Sequence, residues 1–269
     1  MSDVAKKLLV GVAATGVCFS MLSGMAFAAD AEEDKPTANL TVGAYSQYIW
    51  RGFELSKDSV VVQPSMTVAY KGFSANLWGN LDTNQYATTA ADETNKWNET
   101  DMTLAYGWDM GPVAFSVGYI YYALNPSNDT QEFFASAALN TLLKPTLTVY
   151  RDTDSAPGWY TTLGVSHSFP VKDDITLDLG AQVSYLKASA SSPYKEADGT
   201  SKYSNFHDGL LSVGLTVPVN KYITVAPKVS YSFPLSNDAK DLLNSSSLDT
   251  FGKADNSFVY GGVSVSMAF

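Results

Sequence analysis

From Leu40 onward the chain alternates apolar and polar residues with a period of two. Ile175, Leu177, Leu179, Ala181, Val183 and Tyr185 interleave with Thr176, Asp178, Gly180, Gln182 and Ser184. Ile223, Val225, Val229, Tyr231 and Phe233 interleave with Thr224, Ala226, Lys228, Ser230 and Ser232. Such alternation marks strands with one apolar and one polar face. It predicts twelve strands, at approximately 40–51, 59–70, 73–82, 99–108, 113–122, 131–140, 146–152, 158–169, 175–186, 206–217, 223–233 and 256–269. Most have the length a tilted strand needs to cross a bilayer, about 9–11 residues.

The connections alternate too. Lys71-Gly72, 109–112, 141–145, 170–174 and 218–222 are short, whereas 52–58, 83–98, 123–130, 153–157, 187–205 and 234–255 are longer or irregular. Short links confined to one end predict an all-β, antiparallel up-and-down transmembrane barrel, with short periplasmic turns and longer outer loops. Ten and fourteen strands are the alternative counts. Pro64 and Pro227 fall inside strands, and bulges are expected there. Phe133 and Phe134 make both faces of the sixth strand look apolar.

Aromatic residues are expected to form two interfacial belts. Tyr48, Trp50, Tyr121, Trp159, Tyr185, Tyr231 and Phe233 stand at the outer strand ends, and Tyr70, Phe73, Tyr106, Trp108, Phe115, Phe169 and Phe269 at the inner ends. The final strand alternates Val263, Val265, Met267 and Phe269 with Ser264, Ser266 and Ala268, and stops on the aromatic. That ending resembles the signal read by the barrel-assembly machinery.

Residues 1–28 read as a cleaved secretory signal: Lys6 and Lys7, an apolar stretch, then Ala26-Phe27-Ala28. Residues 29–38 follow as a short periplasmic lead-in, and 39–269 as the barrel. The predicted location is therefore the outer membrane, with its lipid and lipopolysaccharide as partners. Cys18 lies inside the signal, so the mature chain has no thiol chemistry.

The chain of 269 residues has 27 acidic and 17 basic residues, a net −10, yet only 16% of its residues are charged. Aromatics reach 13%, led by 16 Tyr. With only Arg51 and Arg151 as arginines, nucleic-acid binding is disfavoured, because phosphate contacts need clustered cations. Removing Asp3, Lys6 and Lys7 leaves a mature net charge of −11, most of it assigned to the outer loops and rim.

Tyr48-Ile49-Trp50-Arg51-Gly52, Ser56, Gln63, Gly72-Phe73-Ser74-Ala75 and Trp78 resemble the Gcw_chp family of conserved bacterial proteins. The resemblance is clearest over residues 41–82. It implies an exported Gram-negative outer-membrane barrel and names no substrate. Pro64 stands where the pattern would place glycine after Gln63.

The polar face should line the lumen, and it is mostly Gly, Ser and Thr. Twelve strands lined by small residues predict a narrow passive channel for small hydrophilic solutes or ions. The inward charges are Arg51, Asp82, Glu99, Asp101, Arg151, Asp178, Asp208 and Lys228, and Arg51 is expected to pair with Asp82 or Asp101 at the mouth. Excess acid there predicts a weak cation preference. A structural barrel without transport and a lipid-modifying enzyme are the alternatives. The enzyme reading is weak. Alternation puts His167 on the face opposite Ser166 and Ser168, and His207 opposite Asp208, so no nucleophile–base pair forms. No metal or cofactor motif is present in the sequence, and neither a metal nor a cofactor is expected.

Overall fold

The computed structural model describes residues 35–56, 59–83, 96–125, 127–246 and 255–269. The predicted signal at 1–28 and part of the acidic 83–98 loop lie outside them. Twelve strands close a barrel: β1 (Thr37–Tyr45), β4 (Val61–Tyr70), β5 (Phe73–Asp82), β6 (Lys96–Met110), β7 (Val113–Leu124), β8 (Thr130–Leu139), β9 (Thr146–Asp152), β10 (Gly158–Lys172), β11 (Ile175–Ala188), β12 (Ser204–Pro218), β13 (Ile223–Pro234) and β14 (Phe258–Ala268). Each pairs antiparallel with its chain neighbours, and β1 closes on β14 from Tyr45–Gly262 to Asn39–Ala268. The loop after β1 carries a small hairpin, β2 (Ile49–Trp50) and β3 (Phe53–Glu54), and helix α1 (Asn237–Ser246) precedes β14.

Period two is what makes this chain a barrel. Leu40, Val42, Met66, Val68, Leu77, Leu104, Leu163, Leu179, Leu211, Val213, Val229, Val263 and Val265 are exposed, whereas Ser74, Thr103, Ser116, Thr148, Ser184, Ser230, Ser264 and Ser266 are buried. Apolar side chains outside and polar ones inside invert the order of a soluble protein and suit a lipid surround. A closed ladder leaves no edge strand, so every strand has two partners in the hydrocarbon layer. At the short-turn end, Phe73, Tyr106, Trp108, Phe169 and Phe269 are exposed, as the inner belt requires. Tyr106 and Trp108 stack, as do Trp108 and Phe115. The β4–β5 turn is the two-residue link Lys71-Gly72, with φ of 48° and 83°. Two positive φ values match the strand twist, and glycine meets the second at no steric cost.

Four expectations change. The first strand ends at Tyr45 rather than 51, and Tyr48 and Trp50 leave the outer belt for the barrel mouth. It also begins at Thr37, inside the expected lead-in. Neither proline makes a bulge. The β4–β5 pairs Val62–Leu81 and Ser65–Trp78 keep one register across Pro64, and the β12–β13 pairs Gly214–Lys228 and Val217–Val225 keep one across Pro227. Lacking an N–H, each proline opens the ladder on one side only. The register shifts fall instead at Asn80/Leu81, Pro170/Lys172 and Val183/Tyr185. The ambiguity of Phe133 and Phe134 also resolves: Phe133 is exposed, and Phe134 is buried with its ring over Gly118, directly opposite on β7.

Candidate functional site at the barrel mouth

Residues 46–56, the stretch after β1, do not extend into solvent. They fold back over the lumen as the β2–β3 hairpin. The Tyr48 N–H donates to Ser56 Oγ at 2.7 Å, the Leu55 N–H to the Tyr48 carbonyl at 2.8 Å, and Gln47 Nε2 to Glu54 Oε1 at 3.0 Å. The tip turns at Arg51 and Gly52, with φ of 51° and 79°.

Arg51 anchors the tip. Its Nη1 and Nη2 each donate at 2.7 Å to the two oxygens of Glu132, a side chain only 1% exposed on β8. The guanidinium also lies 4.3 Å from the Trp50 ring centre, 4.9 Å from that of Tyr150 and 4.2 Å from that of Tyr160. A planar, delocalised cation can meet a carboxylate edge-on and rings face-on at once. Tyr122 donates its hydroxyl to Glu132 Oε2 at 2.9 Å, fixing the acid from behind. The expected partners, Asp82 and Asp101, are not the ones used. Asp82 accepts from Ser59 Oγ at 2.6 Å. Glu132 was hidden in the sequence because Phe133 and Phe134 obscured the parity of its strand.

A second anchor is His207. The register shift at Val183/Tyr185 sets both His207 and Asp208 opposite Ser184. This overturns the reading that placed them on opposite faces: a bulge turns both inward. His207 Nε2 stands 3.0 Å from the Arg51 carbonyl oxygen, which can only accept, so Nε2 carries the proton. Nδ1 accepts from Tyr203 Oη at 3.0 Å. Asp208 Oδ1 accepts from Tyr160 Oη at 2.8 Å and Ser184 Oγ at 2.5 Å.

Helix α1 completes the cover. Ser236 caps it, Oγ accepting the Ala239 N–H at 3.0 Å. Ala239, Leu242 and Leu243, spaced i, i+3, i+4, pack with Phe53, Tyr160, Leu186, Ala188 and Tyr203. Tyr194, in the loop between β11 and β12, stacks on Phe53, and burial pushes its hydroxyl up to about 12, so it stays neutral.

In the same loop Asp198 accepts from the Ser201 hydroxyl and from the Ser201 and Thr200 N–H groups, which hold its carboxyl at about 2. A depressed carboxyl stabilises its loop above the ordinary value near 4 and loses that stabilisation as pH falls toward 2. The protection of amides in residues 196–201, taken relative to free-chain exchange at each pH, is therefore expected to hold near neutrality and to fall in that acidic window, and Asp198→Asn should flatten the dependence.

The remaining predicted residues divide. Glu99 and Asp101 are buried on the inner face of β6. Asp178 accepts from Thr176 and Thr216 hydroxyls at 3.0 and 2.7 Å, nearer the turn end. Lys228 is half-buried and lies two strands from Asp178, with Gly214 paired to both. Arg151 is corrected to the outer face. Tyr150 and Asp152 point inward on β9, so Arg151 between them points out, 5.2 Å over the Trp159 ring and bonded to Ser189 Oγ. His167 faces outward against Phe169, its Nδ1 2.8 Å from the Leu142 carbonyl. Among the described residues, no group of three or more His, Cys, Asp or Glu side chains is arranged to hold a metal, and neither histidine bonds a serine hydroxyl.

Over residues 30–200 the sequence matches the family described as "Bacterial protein of unknown function (Gcw_chp)". No curated protein matches the sequence. Among solved structures, the KdgM porin superposes with a TM-score of 0.53 at 13% identity, covering 86% of this chain and 99% of that one. The NanC porin gives 0.52 at 11% identity, covering 86% and 98%. The shared feature is the fold, a porin-like outer-membrane β-barrel.

Proposed function

We infer that this chain, which belongs to the Gcw_chp family of bacterial proteins of unknown function, is an outer-membrane channel for small hydrophilic solutes or ions with a weak preference for cations. The observation that carries this reading is the closed twelve-stranded wall, whose inner face below the aromatic mouth carries small polar side chains such as Ser74, Ser116, Thr148, Ser264 and Ser266. Such a wall is too wide to be filled by Ser, Thr and Gly. Inward acids at 82, 99, 101, 132, 152, 178 and 208 outnumber Arg51 and Lys228, and Arg51 is neutralised by Glu132. The potential along the lumen is then negative, which enriches cations. The printed names of KdgM and NanC, both porins, agree with transport. A leader removed at residue 28, assembly through Phe269, Met267, Val265 and Val263, and a lipopolysaccharide-facing rim belong to the same proposal.

Conductance of the purified protein across a planar bilayer tests it. Discrete steps, with a reversal potential in a KCl gradient on the potassium side, are expected. Silence at every voltage would instead favour a structural barrel. Asp178→Lys reverses one lumen charge below the mouth. It is expected to move the reversal potential toward chloride while single-channel conductance stays within about twofold.

A further inference from the structure

Arg151 turns away from the lumen on β9, and its charged head does not stay over its own strand. The guanidinium crosses the Trp159 ring of β10 at 5.2 Å. Its Nη1 then donates at 2.9 Å to Ser189 Oγ, just past the loop end of β11. Two residues back on the same face is Lys187, exposed and paired in register with Trp159. One residue further on is Ala190, whose carbonyl accepts from Lys195 Nζ at 3.4 Å. Three cations, from β9, β11 and the loop after it, therefore converge on residues 187–190.

The chain does not neutralise them. Among the described residues no ion pair engages Arg151, Lys187 or Lys195. Glu196, next in sequence to Lys195, accepts instead from the Ser204 N–H and from Asn205. A guanidinium carries five N–H donors, and Ser189 uses one of them. Like charges drawn together repel, so the cluster gains when an anion joins it. At this end of the barrel the strand charges are sorted by face. The acids at 82, 99, 101, 132, 152 and 208 are buried inside, whereas Arg151 and Lys187 stand on the outer face.

The cluster also borders lipid. Nearer the turn end of β10 and β11, Leu163 and Val183 are exposed and directly opposite one another. Trp159, between the two strand cations and the apolar wall, is 46% exposed, as a ring at the membrane interface would be. An anion held here has water on one side and hydrocarbon on the other, which is where a lipid headgroup lies. We propose that Arg151, Lys187 and Lys195 bind the phosphate of an outer-leaflet lipid headgroup, whose acyl chains run along Leu163 and Val183. Arg151 supplies forked donors and the two lysines supply point charges. The site goes beyond the channel reading: it rests on the outer-membrane placement and needs no conduction.

The test is native mass spectrometry of the purified protein in non-ionic detergent. EDTA is present throughout, to remove any divalent metal that could bridge phosphate to the acids. The probes are bisphosphorylated lipid A, its dephosphorylated form and inorganic phosphate. A saturable one-to-one adduct with the phosphorylated lipid alone is expected, and added salt should weaken it. Arg151→Gln with Lys187→Gln should lower its affinity about tenfold or more, as loss of charge-assisted contacts does. Should that double variant fail to fold, Lys187→Gln alone should lower it in the same direction, since it removes no hydrogen bond or ion pair among the described residues. Equal adducts with the dephosphorylated lipid, or unchanged affinity in a folded variant, would overturn the site. Displacement of the lipid by an equal concentration of inorganic phosphate would overturn its assignment to lipid. A silent barrel that still binds lipid A refutes conduction alone, whereas a conducting one that does not bind it refutes the site alone.

Discussion

Arg51→Ala is expected to destabilise the barrel mouth by about 3–5 kcal/mol and to raise single-channel conductance severalfold. The first effect follows from what is left behind. Glu132 is 1% exposed, and its charge is met by both guanidinium nitrogens at 2.7 Å. Removing one member of a buried pair strands the other, which costs more than the pair was worth. The second effect follows from the position of Arg51 at the hairpin tip. With it gone, the tip loses its only ion pair among the described residues and is held by the His207 contact to the Arg51 carbonyl and by the apolar packing of Ile49, Trp50 and Phe53. Thermal unfolding followed by the shift in electrophoretic mobility reads the first effect, and bilayer recording the second. Arg51→Ala with Glu132→Gln should be less damaging than the sum of the single changes, since the stranded charge is then absent. Arg51→Lys should recover only part of the loss, because an ammonium neither forks nor stacks. An unchanged conductance in Arg51→Ala would show that the hairpin does not restrict the path.

Gly52→Val is expected to dislodge the same hairpin without touching a charge. Gly52 has a φ of 79°, where a β-branched residue is strained by about 1–3 kcal/mol. A side chain there would also stand 3.1 Å from Asp208 Cβ and 3.2 Å from Leu243 Cδ1, between barrel wall and helix. Something must move, and the hairpin is the piece outside the barrel ladder: β2 and β3 are two residues each and pair only with one another. Trypsin should report it. In the wild-type protein the Arg51 side chain is 12% exposed and the following peptide is held against the wall, so cleavage there should be slow. Gly52→Val should be cut readily after Arg51 while the strands resist. Protection as strong as in the wild type would mean that the tip adapts in place.

The two variants also show where the sequence was legible. Strand count, turn ends and the inner aromatic belt follow from period two, because a barrel wall imposes one rule on every strand. The hairpin obeys a different rule. Tyr48, Ile49 and Trp50 continue the alternation of β1 in writing but leave its ladder in space, so a local pattern could not distinguish wall from plug. His207 was misassigned because one bulge, set by pairing between β11 and β12, reverses parity for the residues beyond it. Glu132 carried only an ambiguous local mark, because Phe133 and Phe134 hide the parity of its strand. Its role depends on Arg51, 81 positions earlier, and on three rings from three other elements.

The proline-broken ladders have a mechanical consequence. Around the barrel, β13, β14, β1 and β4 are joined by unbroken rungs. The gaps opened by Pro227 and Pro64 lie on the two flanks of this group, against β12 and β5. Through β14 and β1 the two prolines sit at nearly the same height, since Pro227 pairs with Val263, Val263 with Ala44, and Pro64 with Val42. The seam where the two chain ends meet is thus carried in the middle of a stiff four-strand panel with a hinge line on each side. When the wall flexes, it should bend at the hinges and spare the seam.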